Sequence, residues 1–280
     1  MSAAISFPGG FCVLMALYGR DKPNLFIKAI QSVFANTLHP NQVLVVVDGP
    51  LSIELDQTVS KLHQEFPEIE FVRLPKNIGL ANALNAGLQS IRFPWVVRAD
   101  SDDINLVNRF EVLANIVRED PSLQLVGSAI LEIDEEGNPL KVREVPTSEK
   151  EIRQFAKTRN PFNHMAVAYK LNAVLESGGY PNIFLKEDYG LWCHFLARNL
   201  PVANVRQVLV HASAGLGMFR RRGGWRYAQS EYRMQKLLVH SGLKGRVSAL
   251  KDGVMRATFF LIPASWRGFL YSNFLRKPPE

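Results

Sequence analysis

The stretch Phe93-Pro94-Trp95-Val96-Val97-Arg98-Ala99-Asp100-Ser101-Asp102-Asp103 joins a short apolar run to three carboxylates. The run from Trp95 to Ala99 predicts a buried strand, because short apolar runs bounded by turn residues are typical of strands inside a sheet. Three carboxylates this close together repel one another unless a cation lies among them. A hard divalent cation with oxygen ligands, shared with phosphate oxygens, is the natural partner. The alternative is a polar turn that caps a helix predicted over residues 105–119.

Length and composition limit what the rest of the chain can be. A sequence of 280 residues with 47% apolar side chains is long enough for a large core and too apolar for a disordered chain. Cys12 and Cys193 lie in apolar surroundings without metal-ligand spacing, which predicts free thiols and a reducing compartment. The N-terminus has no basic n-region and no apolar run reaches about 18 residues, so we expect a cytoplasmic protein without a spanning helix.

Strands alternate with helices up to the acidic stretch. Apolar runs predict strands over residues 11–17, 42–47, 69–74 and 95–99, and amphipathic segments predict helices over residues 23–36, 52–66 and 80–90. This alternation predicts an α/β fold with a mostly parallel, doubly wound sheet sandwiched by helices. Ligands of such sheets bind outside the carboxyl ends of the strands. Tyr18, Asp48, Lys76 and Asp100 all fall at or just past predicted strand ends, so we expect one crevice to gather them.

Beyond the acidic stretch the pattern becomes mixed. The sequence predicts a hairpin of strands 124–133 and 139–145, further strands at 165–169 and 202–210, and helices at 148–157, 171–176, 189–199 and 225–240. Glu187-Asp188 comes just before one of these helices, and His211 comes just after the last strand.

The C-terminal segment has a composition of its own. Residues 241–280 carry seven Lys and Arg against two acids, which is +5 of the net charge of +7. An apolar run at 255–262 precedes residues 264–276, where Trp266 and Phe269 recur at helical spacing among basic residues. Aromatic and basic side chains in segments too short to span are typical of a helix that lies in a membrane interface. The alternative is a helix packed on the preceding domain or on a second copy.

An ordered set of motifs carries a family resemblance. Asp48 at a strand end, Asn77-x-Gly79 at a helix start, the acidic stretch and Glu187-Asp188 follow one another on the expected elements. Over residues 10–240 the chain resembles a family 2 glycosyltransferase of the GT-A fold. It is especially similar to bacterial enzymes of polysaccharide and O-antigen assembly, including amylovoran-type galactosyltransferases.

The resemblance implies a domain plan and an activity. A GT-A catalytic domain is expected over residues 1–240, with a C-terminal helical extension over residues 241–280. The expected reaction moves a hexose or N-acetylhexosamine from a UDP-sugar to a hydroxyl of a growing, lipid-linked glycan, with inversion at the anomeric carbon. The expected partners are therefore the UDP-sugar, a glycan or lipid-linked saccharide acceptor, and the inner face of the cytoplasmic membrane.

The resemblance also assigns roles in the acidic stretch. Asp100 and Ser101 are expected on the side of the sugar and ribose, and Asp102 is expected to coordinate Mn²⁺ or Mg²⁺ on the diphosphate. Such an ion neutralises charge that develops as the diphosphate leaves. Asp103 is either a further metal ligand or only a helix N-cap. Arg98 either contacts the diphosphate or is a buried counterion of the acids.

Nucleotide recognition is assigned to the first two strand ends. By resemblance, Asp48 accepts a hydrogen bond from the imide of uracil, although an Asp-Gly turn is also common after strands. Ala16 and Tyr18 are expected to flank the base. Lys76 is expected to reach phosphate or base, with a solvated turn lysine as the alternative, and Asn77 belongs to the same donor site.

Catalysis is assigned to Glu187-Asp188. An inverting transferase needs one carboxylate to take the acceptor proton, and we expect Asp188 to be this base with Glu187 orienting the site. The alternative is a pair of acids that is favourable at a helix N-terminus. Two single histidines, His164 and His211, are more often structural residues, and His211 is the stronger candidate for a second metal ligand.

A basic loop and two rival functions complete the sequence analysis. Arg220-Arg221-Arg222 with two glycines before Trp225 suits a lid that clamps a diphosphate or a lipid-linked pyrophosphate, or else a solvated loop. The rival enzyme is a metal-dependent sugar nucleotidyltransferase, but the glycine-rich phosphate loop is missing after the first strand. The rival of another class is a basic nucleic-acid-binding module, but no recognition motif occurs and we expect no nucleic-acid partner.

Overall fold

The computed structural model describes residues 6–214 and 224–261. Its strands and helices, with one 3₁₀ turn at His164–Ala166, follow in chain order. They are β1 (Phe11–Leu17), α1 (Pro23–Phe34), β2 (Gln42–Val47), α2 (Ile53–Glu65), β3 (Ile69–Arg73), α3 (Leu80–Leu88), β4 (Trp95–Arg98), β5 (Ile104–Asn105), α4 (Arg109–Glu119), β6 (Leu125–Ile133), β7 (Pro139–Arg143), α5 (Glu149–Phe155), β8 (Ala168–Lys170), α6 (Leu171–Glu176), α7 (Glu187–Ala197), β9 (Val202–Ser213), α8 (Trp225–His240) and α9 (Arg246–Leu261).

One sheet runs through the described residues. Its strands lie in the order β3-β2-β1-β4-β8-β6-β9-β5, and β7 pairs with β6. The first four strands are parallel, with β1 in register with β2 from Cys12 to Leu17 and with β4 from Phe11 to Leu14. The other half is mixed, because β8 is antiparallel to both of its neighbours while β6 and β9 are parallel. The carboxyl ends of β1, β2 and β4 therefore lie side by side, as the sequence predicts.

Helices cover both faces of the sheet, which explains why the central strands are apolar throughout. Along β1, Val13 and Met15 belong to a core with α1, α2 and α4, whereas Cys12 and Leu14 belong to a second core with α3, α6 and α7. All four side chains are fully buried. A strand that is buried on both faces has apolar residues at successive positions, and this is the pattern found in the sequence of β1.

Three predicted elements differ from the structure. The helix predicted from residue 105 begins at Arg109, because Ile104–Asn105 pairs with β9 instead. Asn105 is held there by Ser32, whose hydroxyl oxygen lies 3.0 Å from the Asn105 backbone nitrogen. The strand predicted at 165–169 is a 3₁₀ turn followed by Ala168–Lys170. The last strand extends to Ser213, so it includes His211.

The two C-terminal helices α8 and α9 pack against each other, and we call them the C-terminal hairpin. The prediction of α8 is confirmed, whereas α9 begins well before the apolar run predicted at 255–262. The aromatic segment predicted at 264–276 lies outside the described residues. The domain boundary at residue 240 stays a prediction. Over the described ranges, no helix is both long and apolar enough to cross a bilayer.

Candidate active site

A cleft of about 590 Å³ opens at the carboxyl ends of β1 and β2. Its lining residues come from the loops that follow these two strands and from the loop between β3 and α3: Tyr18, Gly19, Arg20, Asp48, Pro50 and Asn77. Gly49 allows the loops to approach closely, because a Cβ built there would lie 2.4 Å from the backbone nitrogen of Asn77 and its φ of 90° favours glycine. Of the four residues expected in one crevice, Tyr18 and Asp48 line this cleft, whereas Lys76 and Asp100 are not among its lining residues.

Asp48 anchors the loop that starts α3. Its side-chain oxygens accept hydrogen bonds from the backbone N–H groups of Ile78 at 2.7 Å and Gly79 at 3.0 Å. The amide of Asn77 donates to the Asp48 carbonyl at 3.1 Å, and Asp48 is buried. An ionised carboxylate can accept about four hydrogen bonds, so these contacts leave capacity for a ligand donor. The sequence did not reveal this anchoring role.

The acidic turn is tied to the end of β1 through Asp21. One side-chain oxygen of Asp21 accepts from the Tyr18 backbone nitrogen at 3.1 Å and from the Ser101 hydroxyl at 2.8 Å. Ser101 is buried, so its hydroxyl is directed into this link. Ser101 therefore holds the turn in place, and its contact with the donor stays a prediction.

Arg98 is a buried counterion beneath the acidic turn. The residue is fully buried, and its guanidinium pairs with Asp100 and donates to the Leu14 carbonyl at 3.0 Å. Asp100 itself is 30% exposed. The protein covers its guanidinium, so the residue is not open to the cleft. This position favours the alternative reading of Arg98 as a structural cation.

Asp103 is not a helix cap. The N-cap of α4 is Asn108, whereas Asp103 is buried and accepts from the Ser213 backbone nitrogen at 2.8 Å. The Ser213 hydroxyl in turn donates to the Asp102 carbonyl at 2.6 Å. Burial, followed by the charges of Asp100 and Asp102, raises the pKa of Asp103 well above its usual range. Asp103 therefore joins the acidic turn to the end of β9, a contact between residues 110 positions apart.

Glu187 and Asp188 are the first two residues of α7. The Asn160 amide donates to one Asp188 oxygen at 2.5 Å, and the Tyr189 backbone N–H donates to the other at 2.7 Å. Glu187 is buried, and Asp188 is half-buried. Two orienting donors on one carboxylate fix its direction, which suits a group that must receive a proton from a defined position.

The electrostatics of this pair connect it to the acidic turn. Burial and then the charge of Asp188 raise the pKa of Glu187 to about 7, and Asp100 contributes in the same direction. Burial also raises the pKa of Asp188, although Tyr189 and Asn160 oppose this by hydrogen bonding to the ionised form. The charge of Asp100 acts on Glu187, so the two acidic motifs lie within electrostatic reach of each other. Perturbed carboxylates of this kind are frequent in active sites.

With this geometry in hand, comparisons with known proteins identify the family. The profile described as Glycosyl transferase family 2 matches residues 12–178. The chain is 38% identical over 268 residues to an uncharacterized glycosyltransferase of Haemophilus influenzae, covering 95% of this chain and 99% of that protein. The chain belongs to glycosyltransferase family 2.

Two further relatives of this glycosyltransferase have more specific descriptions. The amylovoran biosynthesis glycosyltransferase AmsE of Erwinia amylovora is 35% identical, over 94% of this chain and 98% of that protein. A UDP-Gal:alpha-D-GlcNAc-diphosphoundecaprenol beta-1,3-galactosyltransferase of Escherichia coli is also 35% identical, over 95% and 97%. The predicted resemblance to enzymes of polysaccharide assembly is confirmed.

Solved structures show the same fold. The glycosyltransferase matches S. aureus TarS 1-349 in complex with UDP-GlcNAc with a TM-score of 0.67 at 15% identity, over 95% of this chain and 76% of that one. It matches the mannosyltransferase PcManGT from Pyrobaculum calidifontis in complex with GDP-Man and Mn²⁺ with a TM-score of 0.63 at 16% identity, over 99% and 84%. The predicted GT-A fold class is confirmed. Membership of glycosyltransferase family 2 decides against the two alternative functions, the nucleotidyltransferase and the nucleic-acid-binding module.

The remaining predicted site residues of the glycosyltransferase differ in their exposure. Ala16 is half-buried near the end of β1, Lys76 is exposed beside Asn77, and Trp225 is 68% exposed at the start of α8. Arg220, Arg221 and Arg222 lie outside the described residues. His164 is buried with its Nε2 3.1 Å from the Tyr180 hydroxyl, and burial lowers its pKa well below the usual value. His164 is therefore a structural histidine.

The candidate metal ligands Asp102 and His211 lie on neighbouring segments. Asp102 is exposed in the acidic turn, and His211 is half-buried in β9 opposite Ile104. Across the ranges 6–214 and 224–261, no three His, Cys, Asp or Glu side chains form a cluster that could hold a metal. A Mg²⁺-type site formed by one or two carboxylates and substrate phosphates needs no such cluster. The oxygen donors of Asp100 and Asp102 fit that kind of site.

Proposed function

We propose that this glycosyltransferase moves a hexose or N-acetylhexosamine from a UDP-sugar to a hydroxyl of a lipid-linked glycan, with inversion at the anomeric carbon. The observation that carries the proposal is that Asp100 of the acidic turn lies within electrostatic reach of Glu187 in the Glu187-Asp188 pair, while a cleft opens at the neighbouring strand ends. The relatives described as amylovoran and diphosphoundecaprenol transferases support the choice of donor and acceptor.

The donor side of the proposal uses the cleft and the acidic turn. Tyr18 and Asp48 line the cleft where a base would bind, and Asp48 keeps acceptor capacity for the imide N–H of uracil. Asp102, with Asp100 beside it, would hold Mn²⁺ or Mg²⁺ shared with the diphosphate. His211 is a further candidate ligand, because it pairs across the sheet with Ile104, two residues after Asp102. When bound, the ion supplies positive charge to the departing diphosphate.

The acceptor side of the proposal rests on Asp188. Its carboxylate takes the proton of the acceptor hydroxyl while the hydroxyl oxygen attacks the anomeric carbon. Asn160 and the Tyr189 N–H keep this carboxylate oriented, and its raised pKa increases its strength as a base. Glu187 stands next to it as a second acid with a pKa of about 7.

A third part of the proposal places the enzyme on an anionic bilayer. The outer surface of the C-terminal hairpin exposes aromatic and apolar side chains, and it carries basic side chains among them. These are Trp225, Tyr232, Val247, Leu250, Val254 and Met255, with the exposed cations Arg233, Lys236, Arg246 and Lys251. The two acids of these helices are not exposed, since Glu231 is buried and Asp252 pairs with Lys244. Such a surface suits an interface with anionic lipid.

A screen of nucleotide sugars tests the donor assignment. Purified protein is mixed with UDP-, dTDP- and GDP-sugars and a lipid-diphosphate saccharide acceptor, and the released nucleotide is measured with Mn²⁺, with Mg²⁺ and with EDTA. We expect release from one UDP-sugar that needs the metal and is lost in Asp102→Ala. Full turnover in excess EDTA would contradict the proposed metal dependence. A clear preference for GDP-sugars would contradict the assignment of a UDP-sugar as the donor.

Vesicle sedimentation tests the membrane assignment. We expect the protein to pellet with phosphatidylglycerol vesicles more than with phosphatidylcholine vesicles, and less at high salt. Leu250→Gln with Val254→Gln should reduce the bound fraction, whereas Ile53→Gln, which changes an equally exposed apolar residue on α2, should not. Unchanged binding of the double variant would contradict the proposal. A change in oligomeric state of that variant, measured by light scattering, would instead identify the face as a contact between copies.

A further inference from the structure

The chain enters the catalytic helix α7 through a strained turn. Leu185 has a φ of 56°, which is the left-handed region that side chains other than glycine, asparagine and aspartate rarely adopt. Lys186 and then the Glu187-Asp188 pair follow directly. Strained backbone of this kind persists only where surrounding contacts hold it. The contacts that hold this turn therefore help to set where the acidic pair lies.

Helix α8 of the C-terminal hairpin supplies such contacts on both sides of Leu185. The guanidinium carbon of Arg226 lies 4.1 Å from the ring centroid of Phe184. On the other side, the Lys186 Nζ lies 3.0 Å from a Glu231 carboxylate oxygen. The same Nζ lies 3.3 Å from the hydroxyl of Tyr227, which is also on α8.

The ion pair between Lys186 and Glu231 is the buried part of this arrangement. Glu231 is 1% exposed and Lys186 is 9% exposed, so neither charge is shared with solvent. Arg256 of α9 approaches the other Glu231 oxygen at 3.6 Å, and Gln235 donates to it at 2.8 Å. Removing one partner of a buried pair leaves the other charge uncompensated, and the side chain that carries it moves to find another partner.

The carboxylate of Asp188 is an alternative partner for the Lys186 ammonium. The ammonium charge already lowers the pKa of Asp188, so the two groups are within electrostatic reach. Without Glu231, the Lys186 ammonium would turn from α8 towards the acidic pair, and the strained turn would lose its ion pair with α8. The position of Asp188 relative to an acceptor would then change, although no group that touches a substrate has been replaced.

We propose that Glu231 is a positioning residue for the acidic pair and that it acts through Lys186. By this route the C-terminal hairpin fixes the first turn of α7 and hence the direction of Asp188. The inference rests on the proposed role of Asp188 as the base. It adds that an intact hairpin is needed for turnover, in addition to any role of its outer surface.

The test compares Glu231→Gln with Asp252→Asn. Asp252 makes the other buried-lysine ion pair of the same hairpin, at 2.5 Å from Lys244, but it has no contact with Lys186. Both variants should lower the melting temperature. We expect Glu231→Gln to lower kcat about 10-fold to 100-fold, the range for a misplaced reacting group. Its KM for the UDP-sugar and its affinity for UDP with Mn²⁺, measured by calorimetry, should change less than about twofold, and Asp252→Asn should keep kcat.

A milder variant covers the case in which Glu231→Gln does not fold. Glu231→Asp keeps the negative charge in the core but withdraws the carboxylate by one methylene group from the Lys186 Nζ, which lies 3.0 Å from it in the wild type. We expect a smaller fall in kcat with unchanged UDP affinity. Equal kcat in Glu231→Asp and the wild type, or equal loss in Glu231→Gln and Asp252→Asn, would overturn the inference. A wild-type protein that releases no UDP from any donor would instead overturn the proposed function, so the two failures are distinguishable.

Discussion

Replacing Glu187 by glutamine should stabilise this enzyme at alkaline pH while it reduces transfer. Burial and the neighbouring charge of Asp188 raise the pKa of Glu187 from 4.5 to about 7. The folded protein therefore keeps a proton on Glu187 that the unfolded chain has already released. Glu187→Gln removes the ionisable group and keeps the size of the side chain.

The sign and the size of the effect follow from this raised pKa. Below pH 4.5 both states hold the proton, so the pKa difference contributes nothing to stability. Between pH 4.5 and about 7 the wild type loses stability as pH rises, because the unfolded chain releases this proton and is stabilised by doing so, whereas the folded protein keeps it. Above pH 7 the loss reaches up to about 3 kcal/mol, at about 1.4 kcal/mol for each pH unit by which the pKa differs between the states. Glu187→Gln should recover that amount.

Equilibrium urea unfolding at pH 5, 6, 7, 8 and 9, without metal or nucleotide, measures this difference. Glu176→Gln is the matched control, because Glu176 is a surface residue with a 63% exposed side chain paired with Arg198. An exposed pair contributes up to about 1 kcal/mol, and the difference should not change across this window. A free-energy difference between Glu187→Gln and wild type that stays constant to about 0.5 kcal/mol from pH 5 to pH 8 would refute the reasoning.

Three other substitutions probe the same centre. Asp188→Asn should lower kcat about 10²–10⁴-fold with unchanged UDP affinity, and a folded variant with near-normal kcat would show that Asp188 is not the base. Asn160→Ala removes a donor to the ionised Asp188, so the pKa of Asp188 should rise and the acidic limb of the kcat profile should move to higher pH; an unmoved limb would contradict this. Asp48→Ala removes two charge-assisted hydrogen bonds, so it should lower the free energy of unfolding by about 2–4 kcal/mol and weaken UDP binding. The control Asp56→Ala, at an exposed ion pair, should cost under about 1 kcal/mol. Equal losses of stability in the two variants would count against the anchoring role of Asp48.

The parallel half of the fold was predictable because its signals are local. β1 and β2 match the predicted residues, and α2 begins after Ser52, whose hydroxyl accepts from the Leu55 backbone nitrogen at 3.2 Å. Buried runs, caps and turn residues act within a few positions of one another, so a single sequence contains them. The two-residue strand β5 has no such signal, since it exists only through its pairing with β9. A helix start at residue 105 was wrong for this reason.

The candidate site was predictable as a set of motifs but not as a set of contacts. The strand-end positions of Tyr18, Asp48 and Asp100 follow from the topology alone. The partner of Asp188 does not, because Asn160 lies 28 residues away in a loop without periodicity. The sequence did not show whether Arg98 is buried, and only the structure shows that the protein covers its guanidinium. Tertiary contacts of single polar residues leave no pattern along the chain.

The spacing of the acidic turn has a physical reason in the surroundings of its four residues. Asp100 and Asp102 reach solvent, whereas Ser101 and Asp103 between and beside them are buried. The two buried members are each bound to another segment, Ser101 to Asp21 and Asp103 to Ser213. The turn is thus fixed from both sides before any ligand arrives, and only alternate residues are left to meet a diphosphate. Because a preorganised site needs no rearrangement to bind charge, we expect the two buried residues to favour donor binding without touching the ligand.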